Sequence, residues 1–262
     1  MFKIVIRVMA TGAVLSLTVG CAKIVENTIK NNPEIVFEAI KKDPVKFIDT
    51  LNEAGKEYQT KKREEDVNKA KDEMESQFAN PATPEIDEKR ALFGPNDAPI
   101  TIVEYSDFQC GYCGQAYNTV KKLMEDPKYK GKIRLLYKHL PVTGAPMSLP
   151  AAETFEAIAM IDEAKAYEFH DKVFENQGAL RQGGEEELKK IVKDIVGSNA
   201  SKVFENTKSD EIQGRLAADR QEAQKYEING TPAFVINGVF LKGAYPIDKF
   251  KEVIDRHLQA KK

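Results

Sequence analysis

The spacing of apolar residues changes from that of a strand to that of a helix near residue 107 of this chain. Residues 100–105, Ile-Thr-Ile-Val-Glu-Tyr, are β-branched and apolar, and they predict a buried strand. Between Gly114 and about Asp126 the spacing becomes helical; the apolar residues there are Ala116, Val120, Leu123 and Met124. The pattern therefore predicts a strand that leads directly into a helix.

Strands and helices are predicted to interleave along the rest of the chain. In chain order, the predicted elements are a strand at 133–137, helices over about 149–226, strands at 233–236 and 239–241, and a helix at about 248–258. Asn237-Gly238 joins the two short strands and is typical of a tight β-hairpin turn. This order predicts an α/β fold for residues 91–262, with a helical block over about 145–226.

Residues 22–90 are predicted to form a separate helical region. Asn32-Pro33 and Asp43-Pro44 each place a capping residue before proline, which is typical of a helix start. The short helices that follow carry apolar faces too small to form a core alone; the residues are Ile35, Val36, Phe37, Ile40, Val45, Phe47, Ile48 and Leu51. Residues 56–77 are dominated by charge and predict a solvated helical linker rather than a long coiled coil. Because this linker would hold the short helices away from the α/β region, we expect them to associate with further copies of the chain.

The first 21 residues have the pattern of a bacterial export signal. Lys3 and Arg7 precede a mostly apolar stretch, Val8 to Gly20, that is too short to span a membrane. Thr18-Val19-Gly20-Cys21 resembles a lipobox, in which the cysteine is lipidated and becomes the mature N-terminus; ordinary cleavage with release into the periplasm is the alternative. If Cys21 is lipidated, Ala22 after it indicates sorting to the outer membrane. Either route predicts an exported protein in a compartment that permits disulfides.

The charge balance excludes nucleic acid as a partner. The 262 residues carry a formal net charge of −2, and acidic residues follow directly after the basic block Lys61-Lys62-Arg63. A nucleic-acid surface requires clustered positive charge, which this sequence does not provide.

Two of the three cysteines form the sequence Cys110-Gly111-Tyr112-Cys113 at the predicted junction of strand and helix. Cys110 would lie at the helix N-terminus, where unpaired N–H groups and the helix dipole favour a thiolate. A thiolate there is both a nucleophile and a good leaving group for thiol–disulfide exchange. Cys113, one turn further along, would resolve the mixed disulfide.

A zinc site and an inert structural disulfide are the alternatives for these cysteines. A zinc site needs about four ligands, and no second cysteine pair exists. The histidines, His139, His170 and His257, are isolated from one another in the sequence. A disulfide across two intervening residues would constrain almost nothing, so the redox interpretation is favoured.

Three sequence matches over about residues 92–260 resemble the DsbA-like thiol–disulfide oxidoreductases of the thioredoxin superfamily. They are Glu104-Tyr105-Ser106-Asp107-Phe108-Gln109-Cys110-Gly111-Tyr112-Cys113, the helical block, and Gly230-Thr231-Pro232-Ala233-Phe234-Val235. The resemblance implies a thioredoxin fold with an inserted helical domain. Residues 22–90 lie outside this core. In their general arrangement, more than in their sequence, they resemble the extensions by which DsbC-type isomerases and ScsC- or Com1-like relatives form dimers or trimers.

The resemblance also implies roles for residues around the cysteine pair. Cys110 and Cys113 would form the redox-active disulfide, so no other cofactor and no metal are expected. Thr231-Pro232 corresponds to the cis-proline loop of the family and would bind substrate together with Gly111 and Tyr112. The Thr231 hydroxyl is also a candidate hydrogen-bond partner of the Cys110 sulfur.

Glu104 corresponds to a buried acid that moves a proton to and from the buried cysteine of the family. Burial should raise its pKa; an exposed glutamate on an edge strand is the alternative. His139 is expected in a loop, whereas His170 and His257 are expected on amphipathic helices, where packing or solvation is usual.

The sequence therefore predicts a bacterial, membrane-anchored periplasmic thiol–disulfide oxidoreductase. Gly111-Tyr112 and Thr231 match isomerase-type relatives better than strongly oxidising ones, which favours a disulfide isomerase. The expected partners are unfolded or wrongly disulfide-bonded exported proteins, a membrane redox protein of the DsbD or DsbB type, and further copies of this chain. A monomeric dithiol oxidase and a non-enzymatic binding or chaperone lipoprotein are the alternatives.

Overall fold

The computed structural model describes residues 27–87, 90–142 and 144–260. The chain divides into an N-terminal unit, Met1–Ala70, and a C-terminal unit, Lys71–Lys262. The predicted export signal, including Cys21, lies outside the described residues. Within the described part of the chain, no helix is long and apolar enough to cross a membrane.

Two helices meet at Asp43 in the N-terminal unit: α1 (Glu34–Lys42) and α2 (Pro44–Ala79). The Asp43 carboxylate accepts a hydrogen bond from the Lys46 N–H at 3.0 Å, and Pro44 is the first helical residue, as predicted for a helix start. Helix α2 then continues for 36 residues. The predicted second short helix and the charged linker are therefore one helix, because no proline follows until Pro81.

The apolar residues of the N-terminal unit lie at its surface. None of the residues in α1 or α2 is buried. Val36, Ile40 and Phe47 line an open groove between the two helices. The exposed large apolar residues of the described part of this unit are Ile29, Ile35, Val36, Phe37, Val45, Phe47, Ile48, Leu51, Tyr58 and Val67. An apolar surface of this extent is typical of an interaction site.

The C-terminal unit contains one five-stranded sheet and a set of helices. Its strands are β1 (Leu92–Phe93), β2 (Ile100–Ser106), β3 (Ile133–His139), β4 (Ala233–Ile236) and β5 (Val239–Lys242), in the spatial order β1-β3-β2-β4-β5. Its helices are α3 (Gly111–Glu125), α4 (Ser148–Ala159), α5 (Glu163–Glu175), α6 (Gln177–Val196), α7 (Ala200–Asn206), α8 (Asp210–Lys225) and α9 (Ile247–Ala260). Strands β2 and β3 are parallel, and the other neighbouring pairs are antiparallel. The predicted α/β fold with a separate helical N-terminal region is confirmed.

Both faces of the sheet are covered, so β2 is apolar along most of its length. Ile100 and Ile102 point to the core formed with α3 and α9, whereas Val103 and Tyr105 point to a second core on the opposite face. Helix α8 contributes to the second core, together with partly buried residues of the segment 81–86. This layered arrangement holds the C-terminal end of β2 between helices on both sides.

The end of α2 belongs to the C-terminal unit. Met74 and Phe78 pack against the core of that unit, and the Gln77 side chain accepts a hydrogen bond from the Phe240 N–H at 2.7 Å. The Arg256 guanidinium stacks 3.8 Å from the centre of the Phe78 ring. Residues 71–79 are therefore part of the folded C-terminal unit rather than a solvated linker.

The hairpin between β4 and β5 contacts the segment that follows α2. Asn237 and Gly238 form the turn with positive φ angles of 45° and 94°, as expected for Asn-Gly. The Ala82 N–H donates a hydrogen bond to the Gly238 carbonyl at 3.0 Å. A Cβ atom at residue 238 would lie 2.4 Å from the Pro81 side chain, so glycine is required for this close approach.

A buried ion cluster fixes the inserted helices, α4 to α8, to the sheet. The Arg90 guanidinium donates hydrogen bonds to Asp219 on α8 at 2.6 and 3.0 Å and to Glu156 on α4 at 2.5 Å. Arg215 donates a further hydrogen bond to Glu156 at 2.8 Å. Burial alone would raise the pKa of Glu156, but the hydrogen bond with His139 and the charge of Arg90 hold it well below its usual range.

His139 belongs to this ion cluster, so the prediction that it lies in a loop is wrong. It is the last residue of β3, and its side chain is buried with Nε2 3.0 Å from the Glu156 carboxylate. Its N–H donates to Asp219 at 2.8 Å. The strand extends two residues beyond the predicted end, because Lys138 and His139 continue the pairing with β2.

Candidate active site

Cys110 is the N-cap residue of helix α3, with extended backbone angles of φ −75° and ψ 121°. The turn before it is held by Asp107, whose side chain accepts the Gln109 N–H at 2.8 Å and whose carbonyl accepts the Cys110 N–H at 3.0 Å. The Cys110 carbonyl in turn accepts the Gly114 N–H at 3.1 Å, which begins the helix. The end of β2 therefore delivers Cys110 to the helix N-terminus, as the sequence predicts.

The two thiols are free and lie in different environments. Cys110 is 8% exposed, and Cys113 is fully buried. The Cys113 thiol and the N–H groups of Tyr112 and Cys113 hydrogen-bond the Cys110 sulfur and, against burial, lower the pKa of Cys110 to about 5. Burial, with a smaller effect of Cys110, raises the pKa of Cys113 far above its usual range. At neutral pH, Cys110 is therefore a thiolate and Cys113 a thiol.

The loop before β4 lies against the Cys110 sulfur. The Thr231–Pro232 peptide bond is cis, as predicted. The Cys110 sulfur is 3.4 Å from the Thr231 carbonyl oxygen, in the geometry of a hydrogen bond from a thiol. The buried Thr231 hydroxyl forms no hydrogen bond of standard geometry with a described residue, although it contributes to lowering the pKa of Cys110. The Thr231 carbonyl can accept a hydrogen bond from Cys110 only while Cys110 is a thiol, whereas the predicted interaction with the Thr231 hydroxyl favours the thiolate.

The residues between the cysteines are open to solvent. Tyr112 is 66% exposed, and nothing lies within 4 Å of the position that a Cβ atom of Gly111 would occupy. On the other side of the thiol, Gly230, Thr231, Pro232 and Gly243 line a small groove. Accessible surface is therefore present both at Gly111-Tyr112 and at the loop that contains the cis proline.

Glu104 lies in the middle of β2, between β3 and β4, and is 1% exposed. The alternative of an exposed acid on an edge strand is therefore wrong. Burial raises the pKa of Glu104 to about 7, and the Ser106 hydroxyl partly opposes this shift. One carboxylate oxygen, Oε1, has no hydrogen-bond partner among the described residues. The side chain is thus able to gain or lose a proton near neutral pH.

Gln177 and Arg181 support the active-site loop from helix α6, and the sequence analysis missed both. The Gln177 side-chain amide donates hydrogen bonds to the carbonyls of Phe108 and Cys110 at 2.8 and 3.0 Å. Arg181 donates to the Gln109 carbonyl at 3.2 Å. A Cβ atom at Gly114 would lie 2.5 Å from the Gln177 amide oxygen, so the glycine permits this approach. The inserted helices therefore hold the loop that carries Cys110.

The remaining histidines do not reach the thiols. His170 is buried among aromatic rings, with Tyr137 at 4.8 Å and Phe174 at 4.9 Å between ring centres. His257 packs 4.8 Å from Phe78 and contacts the Ile236 carbonyl. Among the described residues, no group of three or more His, Cys, Asp or Glu side chains is arranged to hold a metal ion.

Sequence comparison matches the C-terminal unit to a thioredoxin family model, to disulfide bond formation proteins and to part of Na⁺/H⁺ antiporters. A family model described as thioredoxin matches residues 87–256. A probable disulfide bond formation protein D from Bacillus cereus is 31% identical over 170 residues, covering 63% of this chain and 77% of that protein. A Na⁺/H⁺ antiporter NhaA 3 from Salinispora tropica is 33% identical over 175 residues, covering 66% of this chain. The match spans only 25% of the antiporter's length.

Solved structures with the same fold cover one or both units. BdbD from Bacillus subtilis, in its oxidised form, aligns with a TM-score of 0.60 and 26% identity over 68% of this chain and 97% of that chain. ScsC from Proteus mirabilis, in a transitional conformation, aligns with a TM-score of 0.57 and 21% identity over 96% of this chain and 98% of that chain. The second likeness concerns the fold alone and extends it into the N-terminal helices.

Gln177→Leu should raise the pKa of the Cys110 thiol. The substitution removes two hydrogen bonds that hold the loop, and one hydrogen bond of about 1 kcal/mol corresponds to a little under one pKa unit. Thiolate absorbance measured against pH reports the change. Gln182→Leu, at an exposed position on the same helix, is the matched control. Equal thiol pKa values in the two variants would show that Gln177 does not position Cys110.

Glu104→Gln should stabilise the fold at pH 8 but not at pH 4. As the pH rises from about 4.5 to 7, the unfolded chain releases the Glu104 proton while the folded chain keeps it, so stability is lost. The free energy of unfolding falls by about 3 kcal/mol above pH 7, and the glutamine variant does not show this fall. Urea unfolding at both pH values measures it, with Glu168→Gln, exposed on α5, as control. If Glu104→Gln stabilised the fold by the same amount at pH 4, the effect would not come from ionisation of Glu104.

Proposed function

We propose, because this chain belongs to the thioredoxin superfamily and is DsbA-like, that it is an exported thiol–disulfide oxidoreductase acting on disulfides of exported proteins. The acidic Cys110 thiol beside the cis-proline loop is the single observation that carries this proposal. Cys113 serves as the resolving cysteine, since it is buried and stays protonated until needed.

In the proposed cycle, the Cys110 thiolate attacks one sulfur of a substrate disulfide and releases the other sulfur as a thiolate. If a substrate thiolate then attacks the mixed disulfide, a new substrate disulfide forms and Cys110 is released with no net oxidation. If Cys113 attacks Cys110 instead, the substrate leaves reduced and the cysteine pair is oxidised. The backbone of Thr231, next to Cys110, would pair with the extended substrate segment.

We propose that the main activity is isomerisation of substrate disulfides rather than net oxidation of substrate thiols. The N-terminal unit supports this assignment, because its exposed apolar residues would be buried by association of several copies. Several active sites would then act on one misfolded client, which favours repeated attack over a single transfer. The export signal and Cys21 would place the assembly in the periplasm, anchored by lipid to the outer membrane, with a membrane redox protein to restore the thiols.

A dithiol oxidase is the second candidate. The low pKa of Cys110 favours it, because an acidic thiol leaves readily from a mixed disulfide and makes the disulfide more oxidising. Relatives named for disulfide bond formation point in the same direction. In an oxidase the N-terminal helices would not be needed for activity towards small disulfides or towards reduced proteins.

The first test distinguishes an enzyme from a binding protein. The chain lacking residues 1–21 should restore activity to scrambled ribonuclease over many turnovers, and Cys110→Ser should abolish this because it removes the nucleophile. Cys110→Ser keeps the groove and the N-terminal helices, so it also serves as the control for binding. Recovery that does not depend on Cys110 would identify a chaperone instead.

The second test concerns the apolar surface of the N-terminal unit. Phe37→Glu together with Ile48→Glu should give a monomer that still reacts with glutathione disulfide but loses isomerase activity. Sedimentation and the ribonuclease assay measure the two effects. Substitutions are preferable to truncation at residue 80, because Met74 and Phe78 pack against the core of the C-terminal unit.

Thr60→Glu together with Asn68→Glu is the matched control for the second test. It adds the same charge to α2 at positions that are polar and exposed, so the assembly and the isomerase activity should be unchanged. A wild-type protein that sediments as a monomer at micromolar concentration would defeat the isomerase assignment and leave the oxidase.

A further inference from the structure

A row of buried polar groups lies beneath Cys113 on the sheet. Glu104 and Ser106 are two residues apart on β2 and point to the same face, and Tyr137 is paired with Glu104 on β3. All three are 1% exposed. Glu104 Oε1, Ser106 Oγ and the Tyr137 hydroxyl have no hydrogen-bond partner of standard geometry among the described residues. Buried polar atoms are usually paired, so the cluster requires an explanation.

The Ser106 hydroxyl interacts with both the Glu104 carboxyl and the Cys113 thiol. Burial raises the pKa of Glu104, and the Ser106 hydroxyl, which interacts with the carboxylate outside standard hydrogen-bond geometry, opposes this shift. Burial and Cys110 raise the pKa of Cys113, and the same hydroxyl opposes that shift as well. A serine hydroxyl has one proton and two lone pairs and rotates freely. It can therefore donate to one neighbour while it accepts from the other.

Glu104 also lines a cavity of about 250 Å³ that the thiols do not line. Val120 and Met124 on α3 and Leu135 on β3 form its apolar wall, and Lys121 and Asp171 lie at its edge. Asp171 is 45% exposed, so the cavity opens to solvent. The Glu104 carboxyl is thus connected to solvent by a route that avoids Cys110 and the substrate groove.

The other titratable groups around Glu104 keep their charge state near neutral pH. Burial raises the pKa of Tyr137 on β3, of Tyr167 on α5 and of Tyr117 on α3, so all three stay protonated. Burial lowers the pKa of His170 on α5, which therefore stays neutral. Lys121 keeps its positive charge at the cavity edge. Among the buried members of this cluster, Glu104 is the carboxyl group that can accept a proton near neutral pH.

We propose that the Ser106 hydroxyl carries the proton from the Cys113 thiol to the Glu104 carboxylate, and that Glu104 releases it through this cavity. The proposal rests on the proposed function, since it describes the step in which Cys113 resolves a mixed disulfide. Ser106 is then a catalytic residue that touches a reacting atom, in addition to the cysteines.

The proposed step balances in atoms and electrons. The Cys113 thiol gives its proton to Ser106 Oγ while the Ser106 hydroxyl proton moves to Glu104, which becomes a neutral acid. The Cys113 thiolate then attacks the Cys110 sulfur, and the bond between Cys110 and the substrate sulfur breaks. The substrate sulfur leaves as a thiolate with the electron pair, so the cysteine pair is oxidised and the substrate is reduced.

Single-turnover reaction of the reduced full chain with glutathione disulfide, in detergent, tests the relay. Acid quenching and mass spectrometry separate the attack by Cys110 from the later resolution by Cys113. Ser106→Ala should slow resolution by at least about tenfold, because it removes the proton path, and leave the rate of attack unchanged. Ser106→Thr, which keeps the hydroxyl, should restore most of the rate. Ser148→Ala, at a buried serine on α4, is the matched control.

Glu104→Gln provides the second measurement. It should slow resolution as Ser106→Ala does, and the double variant should be no slower than the slower single variant, because both residues lie on one path. Resolution at the wild-type rate in Ser106→Ala, or additive losses in the double variant, would overturn the relay. A wild-type chain that forms no mixed disulfide at Cys110 would refute the proposed function itself, which is a distinct result.

Discussion

The buried guanidinium of Arg90 is the interaction on which the arrangement of the C-terminal unit depends. It lies between Asp219 on α8 and Glu156 on α4, and these carboxylates would be strongly unfavourable in the interior without it. By fixing α4 and α8 to the end of β3, the cluster fixes the inserted helices as a body. Helix α6 belongs to that body, and from it Gln177 reaches the carbonyls of Phe108 and Cys110. The buried ion cluster, which is remote from the thiols, thereby helps to fix the position of the loop that carries Cys110.

The chemistry of the site follows from placing two similar thiols in opposite surroundings. Cys110 is at the start of α3, where N–H groups point to its sulfur, whereas Cys113 is one turn inside the helix with its sulfur over the sheet. The first is therefore ready to react before substrate arrives, and the second requires a proton acceptor. In the proposed relay Glu104 is that acceptor, because burial raises its pKa to about 7.

The features that sequence predicts well are those set by neighbours in the chain. The strand before Cys110, the hairpin at Asn237-Gly238 and the helix start at Pro44 follow from periodicity and turn chemistry. Gln177 and Arg90 were not predictable, because their partners lie far away in sequence and neither residue carries a local signal. His139 was misplaced for the same reason: its partner Glu156 is on an inserted helix. Gly238 fits the turn signal, but only the structure reveals that it also makes room for Pro81.

The contact of Gly238 with Pro81 and Ala82 shows how far the packing of the C-terminal unit extends along the chain. The region that the thioredoxin family model matches begins at residue 87, yet the turn between β4 and β5 packs against Pro81 and Ala82. The region that the family model matches is therefore shorter than the segment needed to cover the second core of the C-terminal unit. A fragment that began at residue 87 would lack Ala82 and Ile86 and would leave the second core partly uncovered.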